Sequence, residues 1–243
     1  MGTDHPIRVN GQEMKTDYRH EHIVIPGSLL GRDTQNRVEV AFISNDKALN
    51  RNADYMYSLF VPDHARSVFP CFDQPDIKAH FSLTLSIPSG WTAISNAPLI
   101  RQETPGSLHG TICHFGVSDL LPTYLFSFAA GKFTIATKRI GAHEMSILHQ
   151  ETAPEKIAQI DTIFHLADLA LRWMEDYTGI PQPFQKYGLV VLPGYQFGGM
   201  EHPGCIQLRD QTIFLGENAT IDERLNRLHL IAQRRHIFGL ATW

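Results

Sequence analysis

Glu201 is the residue whose type and setting offer chemistry most directly. It follows Gly198, Gly199 and Met200, and it precedes His202, Pro203 and Gly204. Two successive glycines let another backbone come close, because no Cβ stands between them. A carboxylate at the end of such a turn can meet a cation carried by whatever lies along it. Metal binding is the second chemistry to weigh. His229 and His236 are seven residues apart, about two turns of a helix, which is too far for one tetrahedral zinc. His20 and His22 share a face if residues 18–25 form a strand, but no third ligand accompanies them, so a solvated strand face is the expectation there.

The elements that must position Glu201 can be read around it. Leu189 to Leu192 is a short apolar run between Gly188 and Pro193, the pattern of a buried strand. Upstream, Thr152 with Glu155 reads as a capping box, with Pro154 in the first turn. Ile157, Ile160, Phe164, Ala167, Leu171 and Met174 then recur at steps of three and four, predicting an amphipathic helix that ends near Gly179. A second capping box, Thr220 with Glu223, opens a helix carrying Leu225, Leu228 and Ile231.

Residues 1–149 read as β-rich. Residues 38–42 and 81–87 alternate apolar and polar side chains, the second run ending at Pro88-Ser89-Gly90. The runs 124–129, 133–136 and 145–148 predict further antiparallel strands. Residues 62–79 hold three prolines and read as a packed irregular loop whose aromatic residues belong to the core. The fold class expected is α+β: an antiparallel sheet or sandwich followed, from residue 150, by helices and a buried strand.

Composition narrows the partners. The 243 residues suffice for one large or two ordinary domains, and 43% hydrophobic with 19% charged residues is a globular balance. With 21 basic and 25 acidic residues the formal charge is −4, so no general attraction to nucleic acid or anionic membrane is expected. Cys71, Cys113 and Cys205 are odd in number and far apart, which suits buried thiols. No run is long and apolar enough to span a membrane and no signal-peptide core opens the chain. A soluble protein follows as the expectation, with cytoplasm and periplasm both open.

Gly198-Gly199-Met200-Glu201, the segment Ala65-Arg66 through Phe69-Pro70-Cys71-Phe72-Asp73 to Lys78-Ala79, and Trp91 to Asn96 together resemble signatures of the zinc aminopeptidases related to aminopeptidase N and leukotriene hydrolase. The resemblance implies a saddle-shaped antiparallel β domain over residues 1–149, lacking its first strands, and the truncated start of a thermolysin-like catalytic domain over 150–243. It implies that Gly198, Gly199, Met200, Glu201 and His202 line a strand edge that binds a peptide with a free N-terminus, Glu201 taking the α-amine. His202 stands where the family has asparagine. Val61 stands where many members have a glutamine that helps hold the amine.

In the family the helix opened by Thr220 carries His-Glu-x-x-His, two zinc ligands and a general base. Here the corresponding stretch reads Gln233-Arg234-Arg235-His236-Ile237, followed by Phe238, Gly239 and Thr242, which are similar to the family's next residues. Loss of one base from CAN-GAG-ACG-GCA-CAT-A gives CAG-AGA-CGG-CAC-ATA, which encodes those five residues, and a second small deletion would restore the frame at Phe238, so a shifted reading frame is the hypothesis for the stretch. The expectation is a fragment of a zinc-dependent aminopeptidase with no intact catalytic residue, the parent using zinc and this chain binding none. The alternative is a non-catalytic homologue that binds peptide N-termini along the Gly-Gly-Met-Glu edge.

Overall fold

The computed structural model describes residues 6–106, 110–140 and 143–233. The alternation at 81–87 becomes the strand Ser82–Pro88, with Leu83, Leu85 and Ile87 turned inward and Ser82, Thr84 and Ser86 outward. It pairs with Gly110–Val117, which pairs with Leu99–Glu103. A four-stranded antiparallel sheet runs, in spatial order, Leu49–Arg51, Tyr55–Ser58, Phe128–Gly131, Thr92–Ser95. Ile7–Val9 lies between Gln12–Met14 and Val38–Glu39 in a smaller sheet. With helices gathered toward the C-terminal side, the class is α+β.

A five-stranded mixed sheet follows, ordered Thr134–Ile140, His143–His149, Tyr187–Leu192, Ile206–Arg209, Gly199–Met200. It draws strands from both sides of residue 150: Met145 stands opposite Tyr187 in parallel register, and Leu189 opposite Ile206. Parallel neighbours on both sides need a crossover, and the helix Ile160–Thr178 provides one. Tyr187–Leu192 is buried at every position because both faces are covered. Leu189 and Val191 pack with Ile163, Phe164, Ala167 and Leu171 of that helix. Val190 and Leu192 pack on the other face with Tyr57, Leu59, Leu121 and Leu125 of the β-rich part. The helix stops at Gly179, whose φ of 68 closes it and whose N–H reaches the Glu175 carbonyl.

Several local expectations are corrected. Residues 18–25 are a hairpin, Tyr18–Arg19 with His22–Ile23, and His20 and Glu21 are its left-handed turn residues, with φ of 49 and 65. His20 therefore shares no strand face with His22, and among the described residues no three His, Cys, Asp or Glu side chains gather to hold a metal. The strand expected at 38–42 shrinks to Val38–Glu39, paired only with Arg8 and Val9. Thr123–Leu125 is a 3-10 turn after Pro122, and the strand begins only at Phe128. In the loop 62–79, Phe69 packs against Phe60, Phe81 and Phe126, whereas Phe72 is 75% exposed.

The capping box at Thr152 and Glu155 does not form. The first helical turn, Pro154–Ile157, has Ala153 at its cap and no side-chain cap bond. Glu151 does the work instead: its Oε1 accepts from the Thr152 and Ala153 N–H groups, both at 3.0 Å, and its Oε2 pairs with Lys156. The helix also breaks at Ala158 and Gln159 before resuming at Ile160. The box at Thr220 and Glu223 forms as read, with Glu223 accepting from the Thr220 N–H at 2.7 Å and the Thr220 hydroxyl accepting from the Glu223 N–H at 3.2 Å. Glu151→Ala, which strands two N–H groups at the helix entrance, is expected to cost about 1 kcal/mol of stability in urea unfolding, while Thr152→Ala costs only a few tenths.

Candidate functional site

The segment between Leu192 and Ile206 makes a loop that returns as the short strand Gly199–Met200, antiparallel to Ile206–Arg209 with Met200 opposite Gln207. It is the last strand in the sheet order, so among the described residues its outer side has no strand neighbour. Arg209 ties the loop down: its backbone N–H donates to Gly198 O at 3.0 Å, its Nε to Tyr195 O and its Nη2 to Gln196 O, both at 2.7 Å. Gly198 packs closely against a neighbouring helix. A Cβ there would stand 3.1 Å from Cδ2 of Leu230, on the helix Ile221–Gln233. The loop and that helix are thus in contact.

Glu201 follows the edge strand directly and is partly buried. It lies near Tyr124, whose phenol is held above its ordinary pKa first by burial and then by the negative charge of Glu201. Val61 packs among the apolar residues around Tyr57 and Leu192. Gly199 and Met200 are buried, while Gly198 is partly so.

His202 is fully buried, so its ring supports the loop from within. Its Nδ1 donates to the Leu125 carbonyl at 3.2 Å, and its Nε2 has no hydrogen-bond partner among the described residues. Burial opposes the imidazolium and pulls the pKa down to about 3, the bond to Leu125 acting the other way.

Asn96, also buried, joins three segments. Its Nδ2 donates to Leu125 O at 3.0 Å and Pro203 O at 2.8 Å, and its Oδ1 accepts from the Ser127 N–H at 2.7 Å. Gly204 must be glycine for this fit: φ is 68, and a Cβ would fall 2.2 Å from Asn96 O. The turn Thr123–Leu125 is held in its own right by Asp73, whose Oδ1 accepts from the Thr123 hydroxyl at 2.5 Å while its Oδ2 accepts from the Arg66 N–H at 3.0 Å. A bonded path therefore runs from Asp73 in the loop 62–79 through Thr123 and Leu125 to His202 and Pro203, which flank Glu201 on its C-terminal side.

The model of the Peptidase M1 N-terminal domain matches residues 3–125, half of the chain, and that of the Peptidase family M1 domain matches residues 163–234. The chain belongs to peptidase family M1. Among M1 relatives, aminopeptidase N of Streptomyces lividans is 28% identical over 225 residues, covering 87% of this chain and 25% of the relative. Human endoplasmic reticulum aminopeptidase 1 is 34% identical over 168 residues, covering 68% and 17%. The leucyl aminopeptidase of Saccharolobus solfataricus is 24% identical over 230 residues, covering 93% and 29%. The chain thus spans a quarter of the first relative's length and less of the second's.

Of the segments that carried the M1 resemblance, the loop 62–79 reaches the residues just after Glu201 by this path, and Asn96 at the end of 91–96 joins it at Leu125 and Pro203. Residue types did not mark Asn96, Asp73 or Thr123 as supports for Glu201. The one available signal was a polar amide at the end of the strand Thr92–Ser95, since a buried carboxamide must find partners. The stretch expected to correspond to the zinc motif starts at Gln233, the last described residue, and Arg234 to Ile237 lie outside the described residues.

Two outcomes are expected. Asn96→Ala leaves the Pro203 carbonyl and the Ser127 N–H unpaired in the interior and should cost about 3 kcal/mol in denaturant unfolding. His202 stays neutral in the folded chain while an unfolded chain takes up a proton below pH 6.5, so stability should fall as pH drops from 6.5 toward 3, and a His202→Asn chain should lose much of that slope.

Proposed function

We propose that this chain is the amine-recognising part of a zinc-dependent aminopeptidase, with Gly198, Gly199 and Met200 offering backbone to a peptide laid along the edge and Glu201 pairing with its α-ammonium. The observation that carries the reading is the position of Gly199–Met200 at the end of the sheet order, with a carboxylate as the next residue. An unpaired strand edge can accept a peptide as an added strand, and the carboxylate then fixes which end of the peptide lies there. His202 contributes by its place in the backbone, since its ring is enclosed. Residues 1–149 are taken as the N-terminal unit and 150–243 as the start of the catalytic unit, the division falling between strands of one sheet.

The residues that would hold zinc do not fit it. Glutamine, two arginines, one histidine and isoleucine occupy 233–237, and neither guanidinium nor a lone imidazole makes a tetrahedral ligand set. No hydrolytic step is therefore assigned to this chain, and release of N-terminal residues from peptides is proposed for the parent enzyme alone. A non-catalytic role in binding peptide N-termini is the second reading, favoured by an edge and carboxylate that are present where the ligand set is not.

Calorimetric titration with a tetrapeptide bearing a free α-amine tests the recognition. Saturable binding is expected, at least tenfold weaker for Glu201→Ala and for the N-acetylated peptide, and fading above about pH 8 as the α-amine loses its proton. Equal affinity for the acetylated peptide would overturn it. Chelator-sensitive release of amine from an aminoacyl-anilide by this chain would overturn the assignment of inactivity.

A further inference from the structure

A recess of about 580 Å3 opens where the β-rich part meets the start of the mixed sheet. Ile94, Leu99, Phe115 and Phe184 line it, with Lys186 among them. Ile135, Thr137 and Arg139, at alternate positions of Thr134–Ile140, form the facing lip. Alternation puts all three on one face of that strand, which is the first in the sheet order.

The charged side chains here do not balance. Arg139 and Glu144 both line the recess and stand opposite each other in register, so their charges offset. Lys186 is left over. Its Nζ donates to the Gly204 carbonyl at 2.5 Å, and among the described residues no carboxylate lies within ion-pair distance of it. An ammonium has three N–H donors, and one acceptor satisfies only one of them. The neighbouring thiol of Cys205 offers no counter-charge, because burial pushes its pKa up to about 11. A partly buried cation without a counter-ion is costly, and burial accordingly pulls the Lys186 pKa down to about 8.

We propose that this recess is a binding site for a small carboxylate with an apolar body, its carboxylate on the Lys186 ammonium and its hydrocarbon against Ile94, Leu99 and Phe115. The anion supplies the acceptors and the charge that Lys186 lacks, and the walls take an aliphatic chain of a few carbons. An inorganic anion would use the ammonium and leave the walls idle, whereas a neutral aliphatic compound would do the reverse. The site is separate from the Glu201 edge, but the loops join: the carbonyl that Lys186 holds belongs to Gly204, three residues after Glu201.

The probe is 4-methylpentanoate, which has no amine for Glu201 to read, titrated into the chain by ligand-observed NMR with acetate and 4-methylpentanol as comparisons. Saturable binding of 4-methylpentanoate with Kd near or below about 1 mM is expected, with acetate and the alcohol each at least tenfold weaker. Affinity should fall as pH rises from 7 to 9.5 and Lys186 loses its proton, Arg139 and Glu144 being the other charged side chains that line the recess. Lys186→Met should weaken binding at least tenfold. Because that change also frees Gly204, Thr137→Trp serves as the second variant: it fills the recess from an exposed strand position, leaves Lys186 in place and should abolish binding. Binding that survives both substitutions, equal affinity for acid and alcohol, or no saturation by 10 mM would each overturn the proposal.

Discussion

The carboxamide of Asn96 is the constraint on which the candidate site depends. It occupies both of its donors and its acceptor on backbone groups from two loops, Leu125 and Ser127 in one and Pro203 in the other. No water reaches those groups to take its place, so the loops are joined at a fixed separation. The glycine at 204 follows from it, since any side chain would strike the Asn96 backbone. So does the enclosure of His202, whose ring shares the Leu125 carbonyl with Asn96. Glu201 owes its position to partners on either side of it, Arg209 under the approach and Asn96 under the exit.

Much of the fold was legible where side-chain pattern alone decides burial. The hydroxyl and apolar alternation at 82–87, the apolar run at 189–192 and the stripe through Phe164, Ala167 and Leu171 each dictate a period and a buried face, although Ile157, read at the start of that stripe, is 38% exposed. Val190 and Leu192 show the limit of that reading. The run announced a buried strand, but only the topology shows that one face meets a helix and the other meets Tyr57 and Leu125. Local competition defeated the other expectations. Glu151, not Glu155, accepts from the N–H groups at the helix entrance, a left-handed turn at His20 and Glu21 splits what read as one strand, and Phe72 is exposed while Phe69 of the same loop is in the core.

The candidate site was legible as residue types and not as geometry. Gly198 and Gly199 announced a close approach, and the structure names one neighbour, Leu230. His202 read as part of the peptide-binding edge, yet its side chain is fully enclosed. Asp73 read as part of an irregular loop, although it braces a turn fifty residues away in the chain. Contacts between residues so distant in sequence leave no periodic trace, which is why composition and spacing are silent about them.

The central strand Tyr187–Leu192 also sets an order of events during synthesis. It arrives late in the chain, and both cores wait for it. Until it emerges, Leu121, Leu125 and Tyr57 lack the cover that Val190 and Leu192 will give, and the helix Ile160–Thr178 has only the two strands before it to lie on. Its partner His143–His149 already carries Thr134–Ile140 on one side and presents an open edge on the other. A nascent chain of this length of exposed edge and apolar surface is the kind that other strands adhere to. One six-residue segment thus serves both cores at once, and its pairing with His143–His149 has to wait for the crossover helix between them.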